Sequence, residues 1–185
     1  MKATPFLTSA LCVLCACASA PKIDYYTLGM EPSGRVDAAA NLSVERLSTT
    51  QALGRSQIMV LASPTQIDYY ATDHWAGSVG ELVQQKLEAE FGPSVDGRRT
   101  LVVSGKVLAC EQVDGPGGVS AQVKLEIVVR DAGVARYQSP VLEKSYSSSR
   151  SVSGSNPGSV VEELSRCVEE IAAEIAADVS SLQPS

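Results

Sequence analysis

The chain has 185 residues, with 15 Lys+Arg against 21 Asp+Glu, a formal net charge of −6, 44% hydrophobic and 19% charged residues. That length and apolar fraction suit one domain whose core needs no metal or disulfide, and exclude a disordered polyampholyte. The acidic balance removes the counterion-release drive toward phosphate backbones, which argues against nucleic acid, and a single His excludes a multi-histidine metal centre.

The chain opens on Met1-Lys2 and an apolar run from Phe6 to Ala16. This is the charged-then-apolar layout of a secretory signal, and the run is too short to cross a bilayer as a helix. Leu14-Cys15-Ala16-Cys17 resembles a bacterial lipobox: Leu at −3, small residues at −2 and −1, then the Cys that becomes the acylated N-terminus. Cys15 would place Leu14 at −1, where a small residue is required, and Cys12 fails likewise, so Cys17 is the expected lipidation site. Residues 1–16 then read as a signal peptide, 17–22 as a lipidated tether and 23–183 as one folded domain. Removal of the signal takes Lys2 with it and leaves a mature charge of −7. The acyl chains of such a Cys anchor a protein stably. Ala18 rather than Asp after the Cys favours the outer over the inner membrane, on the periplasmic side. Cys110 and Cys167 remain, and an oxidising compartment admits either one disulfide between them or two buried thiols.

Within the domain, Ile23–Leu28 reads as a short strand and 29–41 as a loop. Leu42–Leu47 alternates as a strand, and Gln57–Ala62 and Thr65–Thr72 read as a hairpin about Ser63-Pro64-Thr65. From Asp73 the period changes. Asp73 can cap a helix with Trp75, Val79, Leu82, Val83, Leu87 and Phe91 on one stripe, ended by Gly92-Pro93. Three β-rich stretches follow, Thr100–Val113, Val119–Arg130 and Arg136–Ser149, joined by turns at Asp114–Gly118 and Asp131–Gly133. They predict an antiparallel meander. Ser145–Ser159 is low in complexity and reads as a mobile extension of the last strand or an exposed loop. Ser159–Leu182 carries Val160, Leu164, Cys167, Val168, Ile171, Ile175, Val179 and Leu182 as a continuous helical stripe, with a Glu-rich solvated face beside it. The expected fold is α+β: an antiparallel sheet with two amphipathic helices packed on one face, in two layers.

No enzyme signature emerges. Asp73-His74 is the one acid–histidine neighbour pair, but no Ser lies in a Gly-x-Ser-x-Gly setting. Asp114–Gly118 lacks the Gly-Lys-Ser/Thr ending of a phosphate loop. Trp75 reads as core. In Tyr25-Tyr26 and Tyr69-Tyr70, strand alternation turns one ring inward and the other outward.

The order Cys17, Tyr25-Tyr26-Thr27-Leu28, Ile58-Met-Val-Leu61, Ser63-Pro64, Ile67-Asp-Tyr-Tyr70, His74-Trp75-Ala76 and Leu82-Val-Gln-Gln-Lys-Leu87 resembles the ABC-type transport auxiliary lipoprotein family. His74 departs from the Arg that usually precedes the Trp in that family. The resemblance implies a non-catalytic periplasmic lipoprotein without cofactor. Its partners would be an MCE-domain protein and the ABC permease and ATPase of a system moving lipids or other hydrophobic molecules between membranes. A sheet edge near Tyr137–Ser149, with Tyr137 and Tyr146 as partner-surface residues, could serve for partner addition or homo-oligomer formation. The rival reading is a carrier lipoprotein that holds lipid in its own cavity.

Overall fold

A computed structural model describes residues 20–134, 138–154 and 156–182. Eight strands and two helices follow one another as β1 (Asp24–Tyr26), β2 (Asn41–Val44), β3 (Ser48–Thr49), a 3-10 turn (Ala52–Gly54), β4 (Gln57–Ser63), β5 (Gln66–Trp75), α1 (Val79–Phe91), β6 (Thr100–Gly115), β7 (Gly118–Asp131), β8 (Leu142–Ser151) and α2 (Pro157–Ser181). The fold is α+β, as its sequence pattern predicts. The sheet, however, is mixed rather than antiparallel. Its order is β1-β5-β4-β6-β7-β8, with β2 and β3 also pairing β6. β1 runs parallel to β5, and β2, β3 and β4 all run parallel to β6. The three C-terminal strands do form the expected meander. Strands of two to four residues show periodicity but not partner or direction, so the parallel pairings were invisible locally.

The expected hairpins close at Ser63↔Gln66 and Gly115↔Gly118. Along β7, Ala121, Val123, Leu125, Ile127 and Val129 are buried while Lys124 and Glu126 are exposed. α2 packs on β7 and β8, α1 on β2, β3 and β6, and the helices touch each other. On α2 the buried set runs from Val160 and Leu164 through Cys167, Ile171 and Ile175 to Val179, the stripe read from sequence. Asn156 caps this helix by accepting from the backbone N–H of Gly158 and Ser159, with Pro157 in its first turn.

α1 starts later than Asp73. Asp73, His74 and Trp75 belong to β5, where they pair with Asp24, Tyr25 and Tyr26 of β1. Trp75 is a core residue, 3% exposed, but as the last residue of a strand. The helix begins at a capping box that the Asp73 reading overlooked: Ser78 accepts from the Glu81 N–H, and the Glu81 carboxylate accepts from the Ser78 N–H. Gly92 ends it, as expected. The serine-rich stretch is also more ordered than its composition suggests. Residues 145–151 complete β8, leaving a short link before Pro157. The strand tolerates serine because α2 covers one of its faces and β7 one of its edges.

Candidate functional site

The free edge at β8 is the feature that both sequence and fold single out. β8 ends the strand order and has β7 on one side only. Its pleat sorts the residues. Glu143, Ser145, Ser147, Ser149 and Ser151 are exposed, whereas Tyr146 and Ser148 are buried beneath α2. Tyr146, expected at a partner surface, is therefore a core residue at 2% exposure. Its position pairs with Leu125, whose side chain lies on the helix-covered face, so Tyr146 shares that face. Tyr137, the other expected contact, lies outside the described residues, as does Cys17.

Charges on α2 fasten the edge strand. The Tyr146 hydroxyl donates to Asp178 Oδ2 at 2.7 Å, and Lys144 Nζ donates to the same oxygen at 2.6 Å. Burial first, and the Asp178 carboxylate second, push the Tyr146 hydroxyl pKa well up. Hydrogen bonds from Lys144 and Tyr146 hold Asp178 below the usual carboxylate range. Further along, Ser148 Oγ donates to Glu170 at 2.6 Å, and Arg150 spans Glu163 at 2.6 Å and Glu170 at 2.5 Å. Burial raises the Glu170 pKa, but the Ser148 and Arg150 hydrogen bonds outweigh it and leave the group lowered. The glutamates read as a solvated face are thus largely ion-paired, because β8 and α1 flank the helix. What remains open on β8 is backbone N–H and C=O along a strand of 10 residues, bordered by hydroxyls. Such an edge can accept another strand; it contains no reactive group.

A second cluster sits where β1 meets β5. His74 Nδ1 and Ser56 Oγ are 3.2 Å apart, a contact that nothing in the local residue pattern predicts. Asp73 does not orient this histidine. Its carboxylate accepts from the Tyr26 hydroxyl and from Thr72 Oγ1, both at 3.0 Å, and strand neighbours point to opposite faces. Among the described residues no carboxylate bonds to His74, so the nucleophile–base–orienter arrangement is incomplete. Tyr25 lies edge-on to the His74 ring and is 66% exposed, while Tyr26 packs on the core, as alternation predicted. Tyr69 and Tyr70 are both half-buried. The Tyr69 hydroxyl donates to Ala52 O and that of Tyr70 to Gln112, so neither ring of this pair is free.

The apolar gap walled by Leu28, Trp75, Val79, Leu82 and Cys110 has no room even for a water molecule. A pocket for even a small ligand takes roughly 300–1,000 Å³, so an acyl chain does not fit there. The larger clefts are open and of mixed lining: one of about 390 Å³ is bordered by Glu45, Arg130 and Asp131 together with Val102, Ala132 and Val134.

Cys110 and Cys167 are free, buried thiols. A register shift between Val107 and Ala109 explains why Cys110 is in the core and not on the mixed face its phase suggested. The extra residue moves Cys110 opposite Val123, on the helix-covered side. Burial, with Cys167 nearby, pushes the Cys110 thiol up to about 12, and burial raises Cys167 as well. Native protein should therefore resist alkylation at mildly alkaline pH, and denaturation without reductant should release two thiols. A count of zero would establish the disulfide instead.

The family described as ABC-type transport auxiliary lipoprotein component matches residues 26–176. A crystal structure of a Xanthomonas campestris protein assigned to the DUF330 family superposes with a TM-score of 0.68 at 13% identity, covering 88% of this chain and 96% of that one. A second crystal structure, of an uncharacterised protein, gives 0.67 at 14% identity over 86% and 100% of the two chains. At such identities the likeness concerns the fold alone. No curated protein matches the sequence.

Proposed function

The chain belongs to the family of ABC-type transport auxiliary lipoprotein components, and from that premise we propose that it is a non-catalytic, lipid-anchored protein of the cell envelope. In this reading residues 1–16 are removed, Cys17 carries the acyl chains, 17–22 form the tether, and the domain from 23 to 183 stands on the periplasmic side of the outer membrane. There it assists an MCE-domain protein and the permease and ATPase of a system that moves lipids or other hydrophobic molecules between membranes. The observation that carries the reading is the family match over 26–176, which begins just beyond a lipobox in the same chain. Two features support it. No helix among the described residues is long and apolar enough to cross a membrane, so attachment through an acylated Cys17 would be sufficient explanation for an envelope location. The gap between Leu28, Trp75 and Cys110 is too small for an acyl chain, which disfavours the carrier alternative.

Partner docking falls to the free edge of β8 in this proposal, with Ser147 and Ser149 as contact residues in place of Tyr146. Two measurements test it together. Palmitate should label the wild-type chain and not Cys17→Ala. A photocrosslinker at Ser147 should capture the MCE protein in cells, whereas one at the exposed Gln85 of α1 should not. Equal palmitate labelling of both chains would end the lipoprotein reading. Capture at Gln85 alone would move the docking site off β8.

A further inference from the structure

The direction of β1 bears on how the domain stands on a membrane. β1 runs parallel to β5, with Asp24 opposite Asp73. Its preceding residues therefore approach from the end at which β5 begins, the Ser63–Gln66 turn. β4 and β6 are parallel and β6 and β7 antiparallel, so the Gly115–Gly118 turn lies at that same end. The end of β8 lies there too, with the link 152–154 and the start of α2.

Chain length then limits where a Cys17 anchor can be. Between Cys17 and Asp24 the extended chain spans at most about 23–25 Å. β5 covers the same number of residues from Asp73 back to Gln66 but is bulged between Tyr69 and His74, so an extended tether reaches the turns with length to spare. The opposite end of the sheet is out of reach. Through Gln57↔His74 and Met59↔Glu111, the start of β1 lies near the level of Cys110 on β6. From there to Thr100, where β6 begins, is roughly 33 Å along the strand.

The surface chemistry agrees with this geometry. The turn tips, residues 63–67, 115–118 and 152–154, contain no charged residue, although the exposed Asp68 and Asp114 border them. Pro64, Ile67 and Pro116 are exposed there, Ile67 at 47%. Lys22, exposed in the tether, is ion-paired with Asp24. At the other end Asp96, Arg98, Arg99, Arg130 and Asp131 crowd together in sequence and space. The tips of these turns present uncharged and apolar side chains to a bilayer, whereas the other end presents ionised ones of both signs.

We propose that the end of the domain formed by the Ser63–Gln66 and Gly115–Gly118 turns and the 152–154 link is the face applied to the bilayer, leaving the starts of β6 and β8 at the end that points away. The proposal rests on Cys17 being the lipid anchor, as set out above. Its test uses the acylated full chain in vesicles of phosphatidylethanolamine with a minority of phosphatidylglycerol. A fluorophore is attached in turn at Gln66→Cys, Pro116→Cys, Ser153→Cys, Asp96→Cys, Val134→Cys and Tyr25→Cys, and a nitroxide on the lipid headgroup quenches it. Severalfold stronger quenching at positions 66, 116 and 153 than at 96 and 134 is the expected result. Flotation of the wild-type chain and Cys17→Ala with the same vesicles separates the two claims. A chain that floats regardless of Cys17, or does not float, removes the anchor and the orientation with it. A chain that floats through Cys17 yet is quenched equally at 96 and 134, or most strongly at position 25, overturns the orientation alone.

Discussion

Replacing Lys86 with Ala is expected to lower folding stability by about 3–5 kcal/mol, the cost of leaving a buried charge without its partner. Lys86 is fully buried, and its Nζ donates to Glu90 at 2.7 Å, Glu169 at 2.9 Å and the Glu31 carbonyl at 2.8 Å. Ser33 completes the set by donating to Glu90 from its backbone N–H at 2.9 Å and from its hydroxyl at 2.5 Å. One ammonium thus joins α1, α2 and the loop that follows β1, the strand next to the proposed tether. Lys86→Met, which keeps most of the volume, should cost nearly as much, whereas Lys86→Met/Glu90→Gln should recover much of the loss while preserving an acceptor for Ser33. Urea midpoints at constant m-value give these differences. A loss below about 1 kcal/mol for either single variant would show that the pair contributes little.

The same network has a signed pH dependence. Burial pushes the Glu90 pKa up, but hydrogen bonds from Lys86 and Ser33 outweigh it, and the folded-state value is lowered. A depressed carboxylate stabilises the fold above its unfolded pKa, about 4.3, and that contribution disappears as pH falls through the folded value. Without Lys86, burial dominates and raises the Glu90 pKa, so the gap between wild type and Lys86→Ala should be widest at neutral pH and narrow as pH falls, first as Glu90 of the variant takes up a proton and then as that of the wild type does.

Gly105→Ala is the second large effect expected, at about 3–5 kcal/mol or outright failure to fold. Gly105 sits in β6 opposite Ile127 at φ 156°. A Cβ there would stand 1.9 Å from the Glu126 carbonyl oxygen and 3.2 Å from the Ile127 Cα. Both are backbone of β7, so relief requires parting the longest strand pair of the sheet. Gly54→Ala serves as the control: its Cβ would meet nothing within 4 Å, and its effect should stay within about 0.5 kcal/mol. Comparable urea midpoints for the two variants would refute the steric account.

Some of this was legible before any coordinates. The α2 stripe, the Gly92 stop and the two hairpin turns are consequences of local chemistry: a helical period, a backbone that needs glycine, a proline that sets a turn. Lys86 was not legible in that way. It occupies the buried face of α1 between Val83 and Leu87, where a cation looks like an intrusion until the carboxylates of Glu90 and Glu169 arrive from two helices. Nor could Ser56 be paired with His74, since β4 and β5 bring them together across a hairpin.

The composition and the residue order determined the class of protein by themselves: an acidic chain whose residue order marks the transport auxiliary lipoproteins. These are covalent facts, readable in one dimension. Tertiary structure alone decided which strands run parallel, that a one-residue shift at Leu108 turns Cys110 into the core, that Tyr146 is packed under α2 with the serines of β8 outside, and from which end of the sheet the chain enters β1. Each depends on register or direction between segments distant in sequence, and neither register nor direction is written in the period of any one strand.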